Sequence, residues 1–255
     1  MIVKILSSSR LLVAAVFLAL ASTAHAQVLI PWGSVVSLSN DSDILTNGTY
    51  FDAINSAQNG AFTTTTVGTT TFNSLSFVSS SGPSITGSDG TISLTSDGGN
   101  FLGNEGFTGG SAAYQYVINN ASDANNGSVT IGSLAHPLTI GNTYQVQVWG
   151  YWSGPYQATV NGDPAVTFPA YGGGYIIGDF TATAITETFT YGGAVDNSGH
   201  AGFVNDIEVR DITATPEPAT WATMLGGWAL LGFSARRKAA RNCAWIRFTG
   251  KRTNG

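Results

Sequence analysis

The chain has 255 residues, only 10% of them charged, with 32 glycines, one cysteine and a formal net charge of −5. The net value hides a segregation: between Gln27 and Ala214 a single basic residue, Arg210, stands against fourteen acidic ones, and the other nine cations lie towards the two ends. A body with one cation cannot assemble the Lys/Arg cluster that a phosphate backbone requires, so nucleic acid is excluded as a partner and an anionic lipid surface would repel it.

At the N-terminus, Lys4 and Arg10 precede the apolar run Leu11–Ala21, and Ala24-His25-Ala26 follows as a small-x-small site. This is the build of a secretory signal peptide, whose apolar helix is shorter than the roughly 20 residues of a stable membrane span. Cleavage is expected after Ala26, which makes residues 1–26 the leader and 27–214 the exported domain. Cys243 falls outside that domain, so the body has no disulfide and must be held by burial, for which its 188 residues suffice.

Along the body, apolar residues alternate in short runs. They predict strands at Thr71–Val78, Thr91–Leu94, Ala113–Ile118, Ser128–Ile131, Thr143–Trp152, Gln157–Val160, Tyr175–Phe180, Ala184–Tyr191 and Phe203–Ile212. Turn dipeptides such as Asn47-Gly48, Asp89-Gly90 and Asn161-Gly162 separate strand candidates. The expected fold class is all-β, a jelly-roll-like two-sheet β-sandwich. Helix is confined to the N-terminal signal helix, a short C-terminal transmembrane helix and a turn or two at Phe51–Gln58.

Strand Thr143–Trp152 places Tyr144, Val146 and Val148 on one face, which reads as core, and Gln145, Gln147, Trp149 and Tyr151 on the other. With Trp152 and Tyr156 close by, and Tyr171 and Tyr175 further on, the second face is a candidate carbohydrate-binding platform. Trp149, Tyr151, Trp152 and Tyr156 would stack on sugar rings while glutamines bond hydroxyls; the competing reading spends these aromatics on the inter-sheet core. Asp41/Asp43 and Asp206/Glu208 each space carboxylates two apart, a pattern suited to a structural calcium ion, although no complete D-x-D-x-D-G loop is present and solvated surface acids are the alternative. No other cofactor is expected. The stretch AFTTTTVGTTTF at 61–72 offers one rank of threonines about 7 Å apart on a strand face, a β-prone strand and turn rather than an ice-ordering array. His136 and His200 are the histidines of the body, and neither G-x-S-x-G nor H-E-x-x-H occurs, so no catalytic residue is assigned and the chain is read as a non-enzyme.

The C-terminal stretch TPEPATWATMLGGWALLGFSARRKAA contains 17 uncharged residues, Ala219–Ala235, about 25 Å of helix and the short end of a membrane span. Pro216 and Pro218 fix where the helix can begin. Arg236, Arg237 and Lys238, then four more cations without an acid, hold the far end in the cytoplasm by the positive-inside rule. Both ends agree on one topology, with the large domain outside an inner membrane.

Pro216-Glu217-Pro218, the span containing Gly226, Gly227 and Gly232, and the Arg236-Arg237-Lys238 cluster resemble, in that order, the PEP-CTERM sorting signal, a motif also known as the ice-binding protein C-terminal domain. The resemblance implies that residues 215–238 are recognised by an exosortase, a membrane protease-transpeptidase of exopolysaccharide-producing bacteria. Glu217 would lie in the substrate, with the catalytic cysteine on the partner, and 239–255 would be a basic cytoplasmic tail. Processing would release the body to the cell surface or extracellular matrix. SDILTNGTYFDAINSAQ, LTIGNTYQVQVWGYW and YIIGDFTATAITETFTY further resemble secreted bacterial jelly-roll proteins that often carry this tail. The expected function is a structural or adhesive surface protein; the alternative is a carbohydrate-binding module that recognises exopolysaccharide through exposed aromatics.

Overall fold

The computed structural model describes residues 26–57, 62–79, 85–96, 101–103, 106–123, 126–152, 154, 157–193 and 203–213. Its strands are, in chain order, β1 (Ala26–Gln27), β2 (Thr49–Asn55), β3 (Thr65–Val67), β4 (Thr70–Ser74), β5 (Ser76–Ser79), β6 (Ile85–Ser88), β7 (Ile92–Ser96), β8 (Phe101–Gly103), β9 (Asn120–Asp123), β10 (Asn126–Ile131), β11 (Thr143–Gly150), β12 (Ala158–Val160), β13 (Val166–Thr167), β14 (Gly174–Thr181), β15 (Glu187–Gly193), β16 (Phe203–Val204) and β17 (Asp206–Asp211). Among the described residues there is one α-helix, α1 (Ala112–Ile118), between β8 and β9, and one turn of 3-10 helix at Asp41–Asp43.

Two large sheets face each other, one in the order β13-β12-β15-β10-β7-β6-β5 with β1 parallel to β15, the other in the order β14-β11-β17-β2-β4-β3. A small ribbon, β16-β9-β8, forms a third sheet whose Val204 joins the core between the two large ones. Period-two alternation sends Ile92, Leu94, Val129, Ile131, Phe189 and Val160 from the first sheet against Tyr144, Val146, Val148, Ile176, Ile207 and Val209 from the second. This inter-sheet core is the main source of stability in a body without disulfides. The all-β sandwich expected from alternation is thus present.

Four predicted elements differ from the structure, among them Phe203–Ile212, which breaks at Asn205 into β16 of the small ribbon and β17 of the second sheet. Thr71–Val78 is not one strand: it breaks at Leu75, a buried core residue, and the two halves enter different sheets as β4 and β5. Phe51–Gln58 forms no helix, because Thr49–Asn55 is strand β2 at the centre of the second sheet. Ala113–Ile118 is helical rather than extended, since Ser111 caps the N-terminus by accepting from the Tyr114 N–H and the buried residues are Tyr114, Val117 and Ile118, the i, i+3, i+4 spacing of a helix face. The helix adds a third layer: Tyr114, Val117 and Ile118 pack with Ala53, Phe72 and Trp149 on the outer face of the second sheet.

The segment after β1 runs along the free edge of β14. Gly33 N–H donates to the Ile177 carbonyl, and Val36 and Tyr175 exchange both backbone bonds. Gly178 on β14 lets Ile30 and Trp32 press against its backbone, and Trp32 meets Phe189 of the opposite sheet edge-on at 5.5 Å. The segment therefore closes one flank of the sandwich.

By its internal contacts the chain divides into Met1–Thr213 and Ala214–Gly255. Among the described residues no helix is long and apolar enough to cross a membrane. Ala24 of the cleavage site, Tyr156, His200 and the whole sorting signal, including Pro216, Glu217, Pro218, Arg236, Arg237 and Lys238, lie outside the described residues.

Candidate functional site

The second face of β11 is covered, so the proposed platform on it needs correction. Trp149 has no solvent exposure; it sits under α1, with Phe72 edge-on at 5.7 Å. Gln147 is equally buried and donates from Nε2 to the Asp43 carbonyl at 2.6 Å. Tyr151 is half-buried, edge-on to Phe107 at 5.5 Å. A two-sheet sandwich would leave this face to solvent; the third layer takes it as core.

The same layer explains the acidic pairs. Asp41 Oδ1 accepts from the Ser111 N–H at 2.7 Å, which ties the preceding turn to the helix start and holds the carboxyl below its usual range. Asp43 accepts from the Ser39 and Asn40 N–H groups, the Ser39 hydroxyl and the Tyr114 hydroxyl. Burial pushes the Tyr114 phenol well up, with the Asp43 charge adding to it, so the Tyr114 proton stays on the phenol. Asp206 and Glu208 are wholly buried on β17. Glu208 Oε1 receives Arg210 Nε at 2.7 Å and Thr70 Oγ1 at 2.9 Å, and Oε2 receives the Leu45 N–H at 3.2 Å. Arg210, the body's one cation, is 4% exposed and lies 5.8 Å over the Tyr50 ring. Asp206 Oδ1 accepts from Asn55 Nδ2 at 2.7 Å, its Oδ2 has no partner, and burial raises its pKa well above the carboxylate range. Neither pair presents its carboxylates together to solvent: Asp43 is buried among protein donors while Asp41 is partly exposed and held through one oxygen, and Asp206 and Glu208 are both buried.

A different acidic pair, not evident in the sequence, joins the two sheets. A bulge between Val209 and Arg210 shifts the β17–β2 register from Asp52 to Tyr50. Phe51 then packs on Tyr144 of the inter-sheet core, while Asp52 meets Asp89 from the β6–β7 turn. Asn73 of β4 bridges them, its Nδ2 donating to Asp52 Oδ1 at 2.9 Å and to Asp89 Oδ2 at 3.1 Å. Asp89 also caps its own turn by accepting the Thr91 and Ile92 N–H groups. Burial first, then the Asp89 charge, pushes Asp52 up to about 7. One amide nitrogen thus holds the two carboxyls side by side.

At the end of the sandwich where β11 leaves for β12, two loops meet. Tyr171 N–H donates to the Gly154 carbonyl at 2.8 Å and Gly172 N–H to the Trp152 carbonyl at 3.0 Å. The second loop is pinned on either side: Phe168 is buried against Gly150, and Gly173, with φ +75°, packs on the Gly150 carbonyl where a Cβ would collide. Between these anchors Tyr171 is 72% exposed, the most exposed aromatic ring among the described residues. Its φ of 56° makes it the one non-glycine in the left-handed region among those residues. The Trp152 indole lies against Gly154. Of the four platform aromatics named from sequence, Trp149 is buried, Tyr151 and Trp152 are half-buried and Tyr156 lies outside the described residues; the exposed ring is Tyr171.

His136 is exposed in the β10–β11 connection. Among the described residues no three His, Cys, Asp or Glu side chains gather to hold a metal. No family model matches the chain, and no curated protein matches it. Among solved structures it is similar to a crystal structure of exo-β-1,3-galactanase from Phanerochaete chrysosporium with β-1,3-galactotriose, at 21% identity and a TM-score of 0.28 over 51% of this chain and 29% of that one. The likeness spans less than a third of the galactanase, and neither activity nor ligand follows from it.

Proposed function

We propose that this protein is exported by the general secretory route, held as a precursor in the inner membrane by residues 219–235, and sorted to the cell surface or extracellular matrix by an exosortase acting on Pro216–Lys238. The sandwich it delivers has a non-enzymatic structural or adhesive role in an exopolysaccharide-producing bacterium. The observation that carries this is the charge segregation: every cation but one lies in the two terminal segments, and the exception, Arg210, is buried against Glu208. Among the described residues the body therefore offers no Lys or Arg to solvent, which suits a domain that leaves an anionic membrane for a hydrated polymer.

The test is to replace Arg236, Arg237 and Lys238 together with Ser and to follow the size and the membrane, surface and medium fractions of the tagged protein. Accumulation of an unprocessed or mislocalised chain is expected. A variant with wild-type size and distribution would refute the sorting role.

In a second reading the same sandwich binds exopolysaccharide as a carbohydrate-binding module. Burial of Trp149 removes its original support, and the exposure of Tyr171 favours it at another place.

A further inference from the structure

The geometry points to the Tyr171 loop as a stacking site for an uncharged polysaccharide; this rests on the binding-module reading and gives it a location and a ligand class. A bulky aromatic residue avoids the left-handed backbone region that glycine enters freely, and Gly172, Gly173 and Gly174 stand directly after Tyr171. The chain nonetheless places its ring there, and both neighbouring segments hold it still. The loop is fixed by Phe168 in the core, by Gly173 on the Gly150 carbonyl and by two backbone bonds to the β11–β12 connection. A ring presented to water on a rigid apex has already lost the freedom that binding would otherwise remove.

The chemistry of the surroundings selects the partner. Neither loop, 151–157 or 168–173, contains a charged residue, and the described surface offers no Lys or Arg to pair with uronate or sulfate groups. The body is strongly acidic, so an anionic polymer is repelled. An aromatic face flanked by backbone and small residues suits the C–H face of a neutral sugar ring.

The experiment is affinity electrophoresis of the full-length chain in detergent, through gels containing hydroxyethyl cellulose, laminarin or, as the anionic probe, alginate. Wild type, Tyr171→Phe and Tyr171→Gly are compared, with thermal melting of each. Retardation by a neutral polymer and not by alginate is expected, kept by Tyr171→Phe. Tyr171→Gly should weaken it about tenfold while melting at the same or a higher temperature, because glycine relieves the backbone. A purely structural tyrosine would not separate these two readouts in that direction. If Tyr171→Gly is retarded like wild type, the site assignment fails and the module reading stands. Equal retardation by alginate overturns the ligand class. No retardation by any polymer overturns the module reading and the site with it.

Discussion

Replacing Asp52 by Asn removes one titrating proton from the junction between the sheets while keeping its shape. The Asn carbonyl still accepts from the Ala53 N–H and Asn73, and its amide donates to Asp89. The side chain ordinarily titrates at 3.8 and in the folded protein at about 7. Between those values the folded chain keeps a proton the unfolded chain has released, so stability is full below pH 4 and is lost as pH rises through 7. That difference corresponds to a ceiling of about 4 kcal/mol. Solvent screening at the turn reduces this to roughly 2 kcal/mol. Urea unfolding followed by fluorescence of the buried Trp32 and Trp149 measures it from pH 4.5 to 8.5. The variant should match wild type at pH 4.5 and exceed it by about 2 kcal/mol at pH 8.5. Tyr50, whose hydroxyl is 3.4 Å from Asp52 Oδ1, stays protonated throughout because burial raises its pKa. Glu208 and Asp206, both raised by burial, titrate alike in the two proteins and cancel in the difference. Parallel pH profiles would refute the raised Asp52 titration on which the prediction rests.

Trp149→Ala should destabilise the fold by about 3–5 kcal/mol in the same assay, by opening a cavity under α1; an unchanged midpoint would mean that the outer layer is not packed core. Arg210→Ala leaves Glu208 buried without its cation and should cost about 3–5 kcal/mol, most of it recovered when Glu208 is also replaced by Met. A double variant no more stable than Arg210→Ala alone would show that Arg210 acts through packing on Tyr50 rather than by neutralising Glu208.

Alternation made the two facing sheets legible, because a strand buried on one side writes its burial into every second residue. It failed wherever burial came from a direction that two sheets do not supply. In Ala113–Ile118, Tyr114 and Ile118 fit a period of two as well as one of four, so a helix passes for a strand unless the Ser111 cap and Val117 are weighed. The misplacement of Trp149 is the same error seen from beneath: without α1 its face of β11 looks open. Asp52 and Asp89 meet through a bulge and a turn from opposite sheets, a meeting no local spacing records. Tyr171 left a fainter mark, an aromatic next to three glycines, which signals a special backbone without saying which residue takes it.

The strap from Val28 to Val36 satisfies backbone groups that β14 would otherwise leave bare at the end of its sheet. Such a border is where a neighbouring molecule adds itself and fibrils begin to grow. In the proposed matrix role the protein would meet copies of itself at high local density. With that flank already occupied by its own chain, it can be packed closely there without seeding cross-β growth from that side.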